Sequence, residues 1–475
     1  MFDKDELVAL WMAEGFVNES TSNDKIESLG HKYFDELLSR SFFQHAPDNK
    51  SMFVMHALMN DLATFVAGEF YLRFDNETEK RNRENTLENE VPESIGTLIH
   101  LRYLNLSQTR ITHLPESVCN LCNLQTLIVF GCSRLIELPK SFVKLKNLRH
   151  LDIRDTRIFN HIPLEIGEFK NLQTLSNIII GGEGGFEITK LKDLENICGK
   201  ISMVGLDKVK DATRAREANL SVKRISDLQV EWSDVLDGPR DKELEKEVLN
   251  ELKPHKDYLQ QLKIGSYIGL EFPIWVGDSS FGGLKHVSIR GCKNCTSLPP
   301  LGQLPSIKEL FLEGFERVTV VGMEFLGTSL RFPSLEILSF VDMPGWGKWS
   351  TNNRVVFPYL RQWGKWSTNS GVVFPNLRQL HIRDCPNLVE VLLEALPLLK
   401  VLEIVRCDSV VLKKLVQVAS SVTKLDICHI SRLIDVEWRD VIKNLRAVEE
   451  LTITDCNAIR YLWESEAVAK RGEEL

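Results

Sequence analysis

A leucine phrase that returns through the chain limits its fold more than any other feature. Leu101-Arg-Tyr-Leu104-Asn-Leu106, Leu124-Gln-Thr-Leu127-Ile-Val129, Leu148-Arg-His-Leu151-Asp-Ile153 and Leu172-Gln-Thr-Leu175 open successive stretches, spaced by roughly 23 to 24 residues. Leu104-Asn-Leu106 and Leu151-Asp-Ile153 alternate apolar, polar, apolar, which is the period of a short strand buried on one face. A second phrase follows each strand: Ile111-x-x-Leu114-Pro115-x-x-Val118, Leu135-x-x-Leu138-Pro139-x-x-Phe142, and Ile158 to Ile162-Pro163-x-x-Ile166. Proline lacks an amide proton and biases the residue before it to extended geometry, so this half is an irregular or short helical return.

One such unit cannot bury its leucines alone, whereas stacked units can. The pattern therefore predicts an α/β fold, a leucine-rich-repeat solenoid (horseshoe) over 91–475, whose strands line one surface. From about 178 to 258 the spacing lapses into an irregular insert carrying helices at Asp211–Asn219 and Asp241–Leu252. It resumes at Leu259-x-x-Leu262-Lys-Ile264 and runs on through phrases opened by Leu284, Ile307, Leu335, Leu377, Leu399, Val422 and Val448. Within it, 346–379 is a tandem duplication: Trp346-Gly-Lys-Trp349 begins one copy and Trp363-Gly-Lys-Trp366 the next. The copied piece is shorter than a repeat, so it is expected to bulge without adding a coil. Its four tryptophans would then form a contact patch if exposed.

A net charge of −8 with no basic stripe argues against nucleic acid as a partner. No apolar run approaches the roughly 20 residues of a membrane span, and Met1-Phe-Asp-Lys-Asp-Glu6 is acidic where a secretory signal begins positive. These features point to an intracellular, cytoplasmic chain. Among its 10 cysteines, Cys132, Cys292, Cys385, Cys407 and Cys456 each fall three residues after a strand's last apolar position. Thr109 and Thr156 hold that slot elsewhere, so the slot wants a small side chain that can bond turn backbone, and no metal site is expected.

The first segment, 1–69, lacks the leucine spacing. It reads as helix (5–16), helix (24–39), two short strands (41–44 and 52–55) and helix (56–67), the outline of a small winged-helix-like α+β domain, and 70–90 reads as a charged linker or degenerate first repeat. Leu10-Trp-Met-Ala-Glu-Gly-Phe16, Tyr33-Phe-Asp-Glu-Leu-Leu-Ser-Arg-Ser-Phe-Phe43 and Met55-His-Ala-Leu-Met-Asn-Asp-Leu-Ala63 resemble the winged-helix end of the nucleotide-binding module of plant coiled-coil-class nucleotide-binding leucine-rich-repeat (NB-ARC-LRR) disease resistance proteins. Val209-Lys-Asp-Ala-Thr-Arg-Ala215, Leu228-Gln-Val-Glu-Trp232 and Leu298-Pro-Pro-Leu-Gly-Gln-Leu-Pro305 are similar to that family's repeat region.

The resemblance implies a defence receptor whose repeats sense a pathogen effector or a guarded host protein and restrain an ADP/ATP switch. His56 matches the family's ADP-contacting histidine, with Ala57 where the family has Asp. The family's glycine-rich phosphate loop, Gly-x-x-x-x-Gly-Lys, is absent, and Gly181-Gly-Glu-Gly-Gly185 lacks the following Lys-Ser/Thr. The expectation is an N-terminally truncated receptor with a vestigial His56, no cofactor held by this chain alone, and a nucleotide-binding module as a partner if supplied separately. Nuclear or peripheral plasma-membrane locations are further expectations from the resemblance. The alternative reading is a non-enzymatic repeat adaptor or a non-functional receptor remnant.

No nucleophile elbow or convergent acid-base pair is present, so catalysis is not expected. Outward strand positions are the candidate contacts for a protein partner: Tyr103, Asn105, Gln108, Thr126, Ile128, Phe130, His150, Asp152, Arg154 and Asp155, then His286, Ser288, Arg290, Gln379, His381 and Arg383. Side chains on such an array vary without disturbing the core behind them.

Overall fold

The computed structural model describes residues 4, 7–8, 11, 17, 23–46, 49–55, 90–156, 167–181, 186–233, 240–327, 332–351 and 372–461. The chain divides into two compact units, Met1–Cys198 and Gly199–Leu475.

The first unit opens with helix α1, Asn23–Ser39, and the antiparallel strands β1, Phe43–Ala46, and β2, Asn49–Met55, with Phe43 opposite Met55. Their apolar faces meet around Phe34, whose ring lies edge-on to Phe53 at 4.8 Å and stacks on Phe43 at 5.2 Å. Val8 completes this small core. The expected third helix, 56–67, and most of the linker lie outside the described residues.

Repeats follow in the same unit. Strands β3, Tyr103–Asn105, β4, Thr126–Ile128, β5, His150–Asp152, and β6, Thr174–Ile179, pair in parallel, bringing Leu104, Leu127, Leu151 and Leu175 into one column. Leu127, Leu151 and Leu175 are at most 1% exposed, and each such burial contributes roughly 1.5 to 3 kcal/mol. The returns are the expected short helical pieces: 3-10 turns at Glu93–Thr97, Glu116–Asn120 and Phe142–Lys144. Pro92 and Pro115 enter the first two with φ of −67°, a torsion the ring already holds.

A second device locks these coils together. Asn123, Asn147, Asn171 and Asn196 each precede the first apolar residue of a phrase, and each side-chain amide donates to a backbone carbonyl of the coil before. The acceptors are Ile99 at 2.8 Å, Cys122 at 2.7 Å, Lys146 at 3.0 Å and Lys170 at 2.6 Å. A carbonyl left without a strand partner is satisfied in this way once per coil.

The second unit repeats the plan. Its strands are β7, Cys198–Val204, β8, Arg224–Glu231, β9, Gln261–Gly265, β10, His286–Arg290, β11, Glu309–Glu313, β12, Val320–Val321, β13, Ile337–Val341, β14, Lys348–Ser350, β15, Gln379–Arg383, β16, Glu390–Leu392, β17, Val401–Val405, β18, Lys424–Cys428, and β19, Glu450–Thr454. From β8 the parallel register places Leu228, Leu262, Val287, Leu310, Leu338, Leu380, Leu402, Leu425 and Leu451 in one column. Strands β12, β14 and β16 form a separate three-stranded sheet. Helices α2, Ala212–Glu217, α3, Lys242–Glu251, α4, Met323–Leu326, α5, Ser409–Val418, and α6, Asp435–Ile442, fill longer returns. Three of them start on an aspartate cap: Asp211 accepts from the amide of Thr213, Asp241 from Glu243 and Leu244, and Asp408 from Val410.

After most strands one residue turns left-handed while its amide still donates to the next strand. In the first unit these are Gln108, with φ 59°, and Gly131, with φ 71°. In the second they include Gly205, with φ 82°, and Ser266, Gly291, Gly314, Asp342, Asp384, Arg406 and His429, with φ between 51° and 73°. The chain bends inward there without losing a rung, in a conformation that glycine enters freely and other residues enter at a cost.

The tandem copy behaves as expected in one respect and differently in another. Ile337 pairs directly with Gln379, so β13 and β15 are neighbours and no strand of the ladder comes between them. Trp346 and Trp349, however, are 0% and 1% exposed, packed 4.7 and 5.3 Å from Phe340. The expected exposed patch is thereby corrected for these two. Phe340, Met343, Trp346 and Trp349 recur every third residue and are all buried, so they line the interior of the coil. Trp363 and Trp366 lie outside the described residues.

Candidate recognition surface on the repeat strands

In the first unit the outward residues form two columns set by strand register. Tyr103, Thr126, His150 and Thr174 share one, and Asn105, Ile128 and Asp152 the other. Each column is tied by side-chain bonds. Asn105 accepts from the amide and hydroxyl of Ser107 at 2.8 and 2.5 Å. Asp152 accepts from Arg154 Nε at 3.0 Å and from Ser176 of the next coil at 2.7 Å. Burial works against the Asp152 carboxylate, but the Arg154 and Ser176 bonds outweigh it and hold its pKa below the usual value. The Arg154 guanidinium in turn lies 5.0 Å from the centre of the Phe130 ring, a cation held over an aromatic face.

His150 Nδ1 lies 3.1 Å from Thr174 Oγ1, while its Nε2 is buried with no partner among the described residues. Burial, helped by the charge of Arg149, lowers its pKa to about 4, so the ring is neutral at pH 7. Thr126 lies between the larger Tyr103 and His150 and is 1% exposed. It shares the expected face, yet its neighbours cover it, so it offers no contact area. Gln108 and Asp155 are exposed but stand on left-handed turns at the strand ends, with φ of 59° and 54°. Ile128 and Phe130 are half-buried, which leaves an apolar edge beside the Asp152–Arg154 pair.

In the second unit the expected residues carry charge. His286 Nδ1 lies 3.1 Å from Glu309, Ser288 is half-buried, and Arg290 is exposed. Glu403 receives both His381 at 2.7 Å and Arg383 at 2.5 Å, and Gln379 lies half-buried two residues before His381. Burial opposes ionisation of Glu403, but the bonds from Arg383 and His381 prevail and its pKa is lowered. Arg406 closes on Asp384, and Lys424 on Glu450 at 2.8 Å. Neighbouring coils thus pair opposite charges along the face. His56 lies outside the described residues, as does Ala57.

Four of the five slot cysteines bond turn backbone, as their position suggests, Cys292 to the Arg290 carbonyl at 3.6 Å. Cys132 Sγ donates to the Leu106 carbonyl at 2.9 Å, Cys385 to Arg383 at 3.2 Å and Cys407 to Val405 at 3.3 Å. Thr109 and Thr156 also bond turn backbone, donating to the carbonyls three residues back, Leu106 and Ile153, at 2.8 and 2.7 Å. One cluster is not marked by the repeat spacing: Cys428, His429 and Asp455 come together at the ends of β18 and β19. The available signal was Cys428 itself, one residue after the strand's last apolar position and not three.

Family models match three regions: the disease resistance protein winged helix domain at residues 1–63, a leucine-rich repeat at 100–121, and the R13L1/DRL21 leucine-rich repeats at 188–315. The chain is 35% identical to the putative disease resistance protein At3g14460 of Arabidopsis thaliana, over 74% of this chain and 30% of that protein. It is 32% identical to the putative disease resistance RPP13-like protein 1 of the same plant, over 86% and 44%. To disease resistance protein RGA2 of Solanum bulbocastanum it is 33% identical over 72% and 39%. The chain therefore spans between 30% and 44% of the length of these relatives. Among solved structures, a leucine-rich-repeat protein of Leptospira interrogans aligns at 18% identity with a TM-score of 0.43, over 76% of this chain and 93% of that one. The repeat fold itself is carried by the parallel strand register. Through its winged-helix and leucine-rich-repeat regions, the chain belongs to the plant disease resistance proteins.

Proposed function

We propose that the chain supplies the recognition region of a plant defence receptor. Its strand face binds a protein, a pathogen effector or a host protein under guard, and that binding releases restraint on an ADP/ATP switch built from residues outside this chain. The region works without catalysis, in the cytoplasm, and His56 is a vestige of nucleotide contact. The observation that carries this reading is the Phe130–Arg154–Asp152 arrangement, an aromatic ring, a cation and a carboxylate held together at the ends of the adjacent strands β4 and β5. Aromatic and arginine side chains anchored in this way are the usual energetic centres of protein interfaces.

The test uses a full-length receptor carrying this region, expressed in leaves with its effector. Phe130→Glu abolishes the cell-death response at unchanged protein level, while Ile136→Glu, on the return half and 45% exposed, retains it. A full response from Phe130→Glu overturns the assignment of the face. Calorimetric detection of tight ADP binding by this chain alone overturns the placement of the switch.

A further inference from the structure

We propose that Cys428, His429 and Asp455 form a zinc site that clips β18 to β19. The fold itself brings these residues together. Cys428 ends β18 on the outward side, opposite Thr454. His429 follows in the left-handed turn position, with φ 52°, and Asp455 holds the same position one coil later, also with φ 52°. The His429 amide donates to the Thr454 carbonyl at 3.0 Å, which fixes the two backbones against each other. His429 Nδ1 lies 3.6 Å from Asp455 Oδ2, and one ligand atom from each of the three side chains lies within 4.8 Å of the others.

A thiolate, an imidazole and a carboxylate are a donor set that zinc accepts, at about 2.3, 2.0 and 2.1 Å. Ligands at those lengths in a tetrahedron lie about 3.5 Å apart. The side chains need to close by about an ångström, and the 62% and 58% exposure of His429 and Asp455 leaves them room to turn. On binding, the Cys428 thiol gives its proton to water as the sulfur–zinc bond forms. His429 binds as neutral imidazole and Asp455 as carboxylate. The two anionic ligands balance the charge of the ion, and a water fills the fourth position.

The turn-slot cysteines do not compete for this role. Cys132, Cys385 and Cys407 are buried and point their thiols at backbone carbonyls, whereas Cys428 stands on the outward strand face. The clip also has a mechanical reason. Leu451 and Ile453 of β19 are half-exposed where the equivalent residues of earlier strands are buried, so this strand is held by less apolar packing. An ion bridging adjacent coils supplies what the packing lacks.

The test titrates zinc chloride into the whole chain under reducing conditions. One ion binds per chain, and affinity falls at least about tenfold in Cys428→Ser and in Asp455→Asn, since even an outer-shell partner of a metal is worth that much. Cys456→Ser binds as the parent does. Cobalt(II) in place of zinc shows a thiolate charge-transfer band that Cys428→Ser loses, and zinc slows amide exchange across Glu450–Thr454. Absence of binding, parental affinity in Cys428→Ser or Asp455→Asn, a loss confined to Cys456→Ser, or unchanged exchange in β19 each overturns the proposal. All three side chains lie at the surface or half-buried, so the variants retain the fold.

Discussion

The imidazole Nδ1 of His150 meets the hydroxyl of Thr174 across neighbouring strands at 3.1 Å, which places a neutral histidine in the middle of the first unit's outward face. Burial, then the charge of Arg149, brings its pKa from 6.5 to about 4. The unfolded chain therefore takes up this proton before the folded chain does. Above pH 6.5 His150 contributes no pH dependence; as pH falls from 6.5 towards 4, stability drops by up to about 1.4 kcal/mol per pH unit. Ring-proton NMR should show no titration near 6.5, and His150→Gln should flatten that part of the stability curve. A ring titrating at the ordinary value would contradict its burial.

The asparagine ladder predicts a graded loss. Asn147→Ala removes the 2.7 Å bond to the Cys122 carbonyl and should lower stability by about 0.5 to 1.5 kcal/mol. Leu151→Ala, in the fully buried column, should lower it by about 2 to 5 kcal/mol. Denaturant melts of both variants check the order.

At the turn column, Gly314 has φ 73°, and a Cβ added there would sit 3.0 Å from the Gly291 nitrogen. Gly314→Ala should cost about 1 to 2 kcal/mol through backbone conformation alone, with the contact adding to it. Gln108→Gly, at a position already left-handed in a non-glycine residue, should be neutral or stabilising. Thermal melts of the two variants should move in opposite directions or differ in size by that amount.

Trp349 is a core residue, so its loss should show as instability. Trp349→Ala should lower stability by about 3 to 5 kcal/mol, read in a denaturant melt. A variant with parental stability would restore the reading of an exposed patch.

The strand column and the proline-led returns were legible because leucines at a fixed spacing have few other uses. Leu127, Leu151 and Leu175 could be placed from spacing alone. Face assignment was legible too, but exposure was not: Thr126 lies on the expected face and is hidden because the side chains on both sides are larger. Trp346 misled because a duplicated stretch suggested an appendage, while its three-residue spacing from Phe340 and Met343 marked it as interior. Asn147 gave no signal, since an asparagine before a leucine is as well explained by hydration. His429 and Asp455 are 26 positions apart, the interval between the phrases opened by Val422 and Val448, so their alignment was legible; that Cys428 turns its thiol toward them was not, because strand spacing does not fix side-chain direction at a turn.

The most direct measurement places a photo-crosslinking benzoylphenylalanine at Phe130 or at Ile136 in a full-length receptor, in leaf cells with and without the effector it answers. The proposed recognition face predicts one discrete crosslinked protein from position 130 and none from position 136. No crosslink at 130, or the same products from both positions, would contradict it.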